Sequence, residues 1–334
     1  MTERLTPFLD ELVTPPFGTA ASITAIRGDL IVSVTAGTLW DDGPAADDET
    51  CFNAASVSKL LTAARIVSHA DAGMLGLDDT VGEHLPGVRL LDSVGADQSG
   101  VVTVRDLLRH RAGVPHYPAD LEEHVGDGFG DPYLLSVMTE AWDIDLIGLP
   151  GQYSYSNFGY ALLGAIAEQI DGCAFAGCMM PYLDELAMPR SAFWPAMLDD
   201  NAAHGRVEAG GSVAFNAPSW YASRYYLPFG GLWTPSPELA HFGRLLAAAD
   251  ADVESPLHEM TLGTGHGLGP VHGERLDVPT LEHDGSAPGF LSALVVIPDL
   301  DIVVAIMTSG GNEDAEEADE FQEIVAEVVA AVPE

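Results

Sequence analysis

The chain has 334 residues, 47% of them hydrophobic, and a formal net charge of -38 from 51 acidic against 13 basic side chains. That length supports a large core or two lobes sharing a site, and the apolar share excludes an acidic disordered tail. The charge argues against nucleic acid or an anionic membrane surface as partner, and it goes far beyond what solubility needs.

In chain order, FLDELV is short and helix-like. ASITAIR and LIVSVTAG read as two strands joined at Gly28-Asp29, a turn-forming pair. From Ser56 to about Leu75, leucine, alanine and isoleucine recur at helical spacing, with a stop at Gly73 or Gly76. Thr103 to Arg109 reads as a short helix with Thr103 as cap and Asp106 at its third position. Phe158 to Ile170 is the clearest helix, ended by Asp171-Gly172. Late in the chain, FLSALVVIP and DIVVAIMTS read as an antiparallel hairpin through Asp299-Leu300. The chain closes on a helix whose apolar stripe is Phe321, Ile324, Val325, Val328, Val329 and Val332.

Strands at both ends with helices between them predict an α+β fold. The ends meet in one antiparallel sheet covered by the terminal helices. On this reading residues 1–55 and 205–334 form an α/β lobe, residues 56–204 form a mainly helical lobe, and the active site lies in the cleft between them. The opening MTERLTPFLDELVTPP has neither the basic nor the apolar region of a signal peptide, and no run approaches eighteen apolar residues, so the cytoplasm is the expected location. Three cysteines, Cys51, Cys173 and Cys178, give no disulfide framework. The eleven histidines show no metal-ligand spacing, so neither a metal nor a cofactor is expected.

Three short strings carry chemistry. In Ser56-Val57-Ser58-Lys59, Lys59 is the one lysine among the 13 basic residues. Arginine stays protonated, whereas a desolvated lysine can shed its proton and act as a base. At i and i+3 on a helix, hydroxyl and amine reach each other, which is one way to activate a serine. Next, Tyr155-Ser156-Asn157 precedes a helix, and in an extended loop its phenol and amide point the same way. Last, His283-Asp284-Gly285-Ser286 leads into the late hairpin, with a glycine that leaves room beside the backbone. Taken singly, Ser-x-x-Lys, Tyr-x-Asn and His-x-Gly are common strings.

In this order and at these intervals they resemble the serine β-lactamase-related superfamily, in particular the branch of class C β-lactamases, D,D-carboxypeptidases and β-lactamase-fold carboxylesterases. FNAASVSKLLTAARI, DLLRHRAGVPHY, PGQYSYSNFGYALLGAIAEQI, GGLWTPSPELAHFGRLL and HDGSAPGF carry the resemblance over most of residues 50 to 310. It implies a β-lactamase/penicillin-binding-protein-like fold, with Ser56 as nucleophile, Lys59 as the group that takes or orders its proton, and Tyr155 as the second proton-transfer residue. It further implies Asn157 as the amide that holds Lys59 and substrate, His283 where many relatives have lysine, and the backbone N–H groups of Ser56 and Ser286 as an oxyanion hole. Gly285 completes the third motif.

Where such relatives often have threonine in the third motif, this chain has Asp284, beside a histidine instead of a lysine. A carboxylate there would repel the carboxylate of a penicillin or of peptidyl-D-alanine. The expected activity is therefore acyl-enzyme hydrolysis of a small ester or amide, as a carboxylesterase on uncharged esters. The rivals are a β-lactamase, D,D-carboxypeptidase or D-amino-acid amidase, and an idle scaffold that kept the fold. His110 and His116 read as structural. Trp220, Tyr221, Tyr225 and Tyr226 read as lining of the acyl pocket. The acidic, lysine-poor composition resembles proteins of salt-loving organisms.

Overall fold

The structure, a computed structural model, describes residues 1–14, 17–119, 142–209, 212–218, 223–311 and 315–333. Its main sheet has seven strands. These are β1 (Ala20–Arg27), β2 (Leu30–Gly37), β3 (Gly265–His266), β4 (Val271–Arg275), β5 (Val278–Ala287), β6 (Phe290–Ile297) and β7 (Ile302–Thr308), in the spatial order β2-β1-β7-β6-β5-β4-β3. Every neighbour is antiparallel, and the ends of the chain do meet: β1 pairs with β7 from Ala21↔Thr308 to Arg27↔Ile302.

The period of two along β7 explains how the sheet is covered. Ile302, Val304 and Ile306 face one core, and Val303, Ala305 and Met307 face another. The first core is closed by the terminal helices α1 (Thr2–Leu12) and, through the predicted stripe from Phe321 to Val332, the last helix (Ala315–Ala331). The second core takes Leu239, Phe242 and Leu246 from the helix Ser236–Ala251. It runs on without a break into the helical part, where α2 (Ser58–Asp71), α3 (Asn157–Asp171) and α4 (Phe175–Glu185) pack. Ser236 is the polar contact on that face, its hydroxyl bonding those of Ser22 and Thr24 at 2.7 Å each.

Local signals behave as their chemistry requires. Gly28, at φ +58, makes the β1–β2 turn. Thr103 and Asp106 cap Val104–Leu108 reciprocally. Gly172 ends α3 in the left-handed conformation at φ 70. The β6–β7 link is a single 3-10 turn, Pro298–Leu300. Other elements differ from expectation. Helix α1 starts earlier, and α2 is preceded by a separate 3-10 turn, Ala55–Val57. Strands β3, β4 and β5 were not foreseen, because their sequences do not alternate cleanly. Cys173 and Cys178 form a disulfide with Cα atoms 5.7 Å apart at the start of α4, which the odd cysteine count did not suggest, while Cys51 is free and buried. No single helix among the described residues is long and apolar enough to cross a membrane.

Candidate active site

Ser56 sits in the tight turn that feeds α2. Its neighbour Ala55 has φ 44, a conformation that L side chains rarely adopt. Asn53 holds the turn there. Its Oδ1 accepts from the Ala55 N–H at 3.0 Å and from the Tyr226 hydroxyl at 3.1 Å, and its Nδ2 donates to the Gly230 carbonyl at 3.0 Å.

Lys59 lies one helical turn further on and is fully buried. Its Nζ is 2.9 Å from Ser56 Oγ and donates to the Phe229 carbonyl at 3.1 Å. The rings of Tyr155, Phe229 and Tyr160 surround the amine at 4.9, 5.4 and 5.7 Å. Burial pushes its pKa well below the ordinary lysine value, against a smaller upward pull from the Asp284 carboxylate. Once unprotonated, the amine can still give one N–H to Phe229 and turn its lone pair on the serine hydroxyl.

Tyr155 reaches the same oxygen from the loop before α3, its hydroxyl donating to Ser56 Oγ at 3.1 Å. Burial raises the phenol above its ordinary pKa, so it stays protonated as a potential acid. His110 holds the ring in place. The two rings stack at 4.3 Å, the His110 carbonyl accepts from Ser154 N–H at 2.7 Å, and its Nδ1 accepts from Ser156 N–H at 3.1 Å. Burial lowers the pKa of His110 far below the usual histidine value, which keeps Nδ1 free to accept.

Strand β5 closes the site from the sheet side. Strand β4 covers β5 only as far as Glu282, opposite Val271, so the edge from His283 to Ala287 has no strand partner on that side among the described residues. This open edge presses on the nucleophile turn. A Cβ at Gly285 would come within 2.5 Å of both the Ala54 carbonyl and Ser292 Oγ and within 3.0 Å of Ser56 N. Ser292 ties the two segments by donating to the Ala54 carbonyl at 2.8 Å. His283 is buried, and its Nδ1 lies 2.6 Å from the Asp284 carbonyl. A carbonyl only accepts, so Nδ1 carries the proton and Nε2 is a bare lone pair. Burial pushes the imidazole pKa down to about 4. A cavity of about 410 Å³ opens over Ser56, lined among others by Tyr155, Asn157, His283, Asp284 and Ser286.

All seven residues singled out in the sequence thus lie around one cleft, but Asn157 has other partners than expected. Asn157 donates to Tyr117 Oη at 2.7 Å and to His116 Nε2 at 3.1 Å, while the described partners of Lys59 are Ser56 and Phe229. His116 lines the cavity instead of serving the fold alone. Tyr226 buttresses Asn53, and Tyr225 packs on the core; neither is among the described cavity-lining residues, while Trp220 and Tyr221 lie outside the described residues. Sequence reasoning missed His266, which stacks on Tyr153 at 4.9 Å and lines the cavity; a lone histidine in a glycine-rich loop carries no signal of that.

A family model described as Beta-lactamase matches residues 18–327. The chain belongs to the beta-lactamase family. It is 28% identical over 337 residues to penicillin-binding protein 4 of Amycolatopsis lactamdurans, covering 92% of this chain and 85% of that one. Among solved structures it resembles the D-amino acid amidase from Ochrobactrum anthropi SV3, with a TM-score of 0.79 at 17% identity over 99% of this chain and 98% of that one. It also resembles the class C beta lactamase from Rhodobacter sphaeroides, with a TM-score of 0.75 at 16% identity over 98% and 99% of the two chains. The fold is therefore the α+β fold of beta-lactamases and penicillin-binding proteins, and the family is one of serine hydrolases.

Proposed function

We propose that the chain is a carboxylesterase that works through an acyl-enzyme on Ser56 and takes esters whose acyl part bears no carboxylate. Ser56 Oγ attacks the ester carbonyl carbon while its proton passes to the lone pair of Lys59. Backbone N–H groups of Ser56 and Ser286 receive the charge that develops on the carbonyl oxygen. The C–O bond then breaks, and Tyr155, with Lys59, returns a proton to the leaving alcohol. Water repeats the sequence on the acyl-enzyme, releasing the acid and restoring Ser56.

The observation that carries the substrate reading is the lining of the cavity. Asp284 is exposed there, His283 beside it is neutral, and the described lining includes no arginine or lysine to receive a carboxylate. Treatment with a fluorophosphonate should add one adduct, mapped to Ser56 by mass spectrometry. The kcat/KM for short-chain aryl esters should exceed that for cephalosporins, and Asp284→Thr should narrow the gap. An adduct elsewhere with Ser56→Ala still active, or efficient β-lactam turnover by the unaltered protein, would replace this reading.

A further inference from the structure

A separate cavity, of about 170 Å³, lies between the short helix Val104–Leu108 and the loop from Leu262 to Leu268. Its charged lining is Arg105, Arg109 and Glu259. Arg105 is committed: its Nε and Nη2 donate to Asp78 at 2.8 and 3.3 Å, and its Nη1 is 3.9 Å from the Glu259 carboxylate. Arg109 is not. It makes no hydrogen bond or ion pair among the described residues, and its Nε is buried without an acceptor. In a chain with 51 acids for 13 bases a carboxylate partner is easily supplied, and a buried donor without an acceptor is costly. A guanidinium left so on a cavity wall, four residues from a second one, suits an exchangeable anion. At about 30 Å³ for each water of the liquid, the space holds about five waters, or one small oxyanion with part of its hydration shell.

We propose that this cavity is an activating site for a small tetrahedral oxyanion, phosphate or sulfate, outside the catalytic cleft. The ion accepts from Arg109, Nε included, and through another oxygen from Arg105 Nη1. Two of the residues on its wall adjoin the cleft: Arg109 precedes His110, and Gly267 follows His266. The rings of His110 and His266 meet at 5.3 Å and lie 4.3 and 6.2 Å from the ring of Tyr155. An ion that fixes Arg109 against the Leu262–Leu268 loop therefore fixes both histidines and, through them, the phenol that reaches Ser56. Arg109 is a positioning residue in this scheme, and the ion takes no part in bond making.

The test is equilibrium dialysis of labelled inorganic phosphate against the full chain near pH 7. Potassium chloride at about 1 M shortens the Debye length to about 3 Å, so the acidic surface as a whole does not repel the probe. Chloride offers one atom where phosphate offers an oxygen to each guanidinium, so phosphate should win the site and saturate at one ion per chain. Arg109→Gln should weaken binding at least about tenfold, the scale of a charge-assisted contact. Glu259→Gln removes a competing carboxylate from an exposed position, without disturbing the core, and should tighten binding about twofold or more. Arg4→Gln, an equal loss of charge on α1, should leave binding unchanged. Phosphate should raise the rate of Ser56 labelling by a fluorophosphonate about fivefold or more in the unaltered protein, the low end of ordinary coupling between sites. In Arg109→Gln the labelling rate should not respond to phosphate. No saturable binding, binding left intact by Arg109→Gln, or a labelling rate indifferent to bound phosphate overturns the inference. The dialysis uses no substrate, so absence of labelling and ester turnover in the unaltered protein would strike the acyl-enzyme reading and leave the anion site to be judged by binding.

Discussion

Gly285→Ala tests how the sheet edge positions the nucleophile. The added methyl brings no charge and no hydrogen-bonding group, so its effect is steric. It would lie 2.5 Å from the Ala54 carbonyl and Ser292 Oγ, against an ordinary contact of 3.4 Å, so edge and turn must part by about 0.9 Å. The Ser292 hydroxyl can rotate away, but only by giving up its bond to Ala54, and the Ala54 carbonyl is backbone two residues before Ser56. The movement therefore falls on the turn and on the donors that receive the carbonyl oxygen. A misplacement of about 1 Å at reacting atoms costs about a hundredfold in rate. Overpacking of this kind costs about 1–3 kcal/mol of stability. The expected result is a fall of about a hundredfold in the rate of Ser56 labelling by fluorophosphonate and in ester kcat/KM, with a melting temperature lower by about 2–4 °C for each kcal/mol lost. A variant that labels at the wild-type rate and melts at the wild-type temperature would refute the claim that this close approach sets the geometry of the nucleophile.

Lys59→Arg keeps the charge but cannot shed a proton, so kcat/KM should fall by about 10²–10⁴-fold, and wild-type turnover would reduce Lys59 to an electrostatic role. The base must be unprotonated, so activity should be lost as pH falls through the lowered Lys59 pKa. It should not decline again below pH 10, because the Tyr155 phenol is raised above its ordinary value of 10.0. His283, at about 4, does not titrate near neutrality, so the acid limb should persist in His283→Asn; a limb that disappears in that variant would assign it to the histidine. With 51 acids against 13 bases, like-charge repulsion penalises the compact state at low ionic strength. Potassium chloride should therefore raise the melting temperature up to molar concentrations, and replacing about ten surface acids by asparagine or glutamine should flatten the dependence. An equal melting temperature in dilute buffer and at about 2 M salt would contradict adaptation to salt.

Ser56, Lys59 and Tyr155 were legible in the sequence because their chemistry depends on residue type and short spacing. Spacing of i and i+3 puts Ser56 and Lys59 within reach of each other, and their polar atoms lie 2.9 Å apart. The same holds for α3 with its cap and its Gly172 stop, and for the apolar stripe from Phe321 to Val332, where local periodicity determines which face is buried. The α+β class also followed from the order of such elements. The partners of Asn157, the place of His116 and His266 in the cavity, the support of Asn53 by Tyr226 and the pairing of Cys173 with Cys178 were not legible. Nor was the edge beside Asp284: β4 stops pairing at Glu282, and the next five residues of β5 have no strand partner on that side among the described residues, close to the nucleophile turn. Sequence determines what a side chain can donate, accept or ionise, and how it repeats along its own element. Which atoms meet across segments more than two hundred residues apart, such as Ser292 and Ala54, is decided by packing of the whole chain, and so is the burial that lowers the pKa of Lys59.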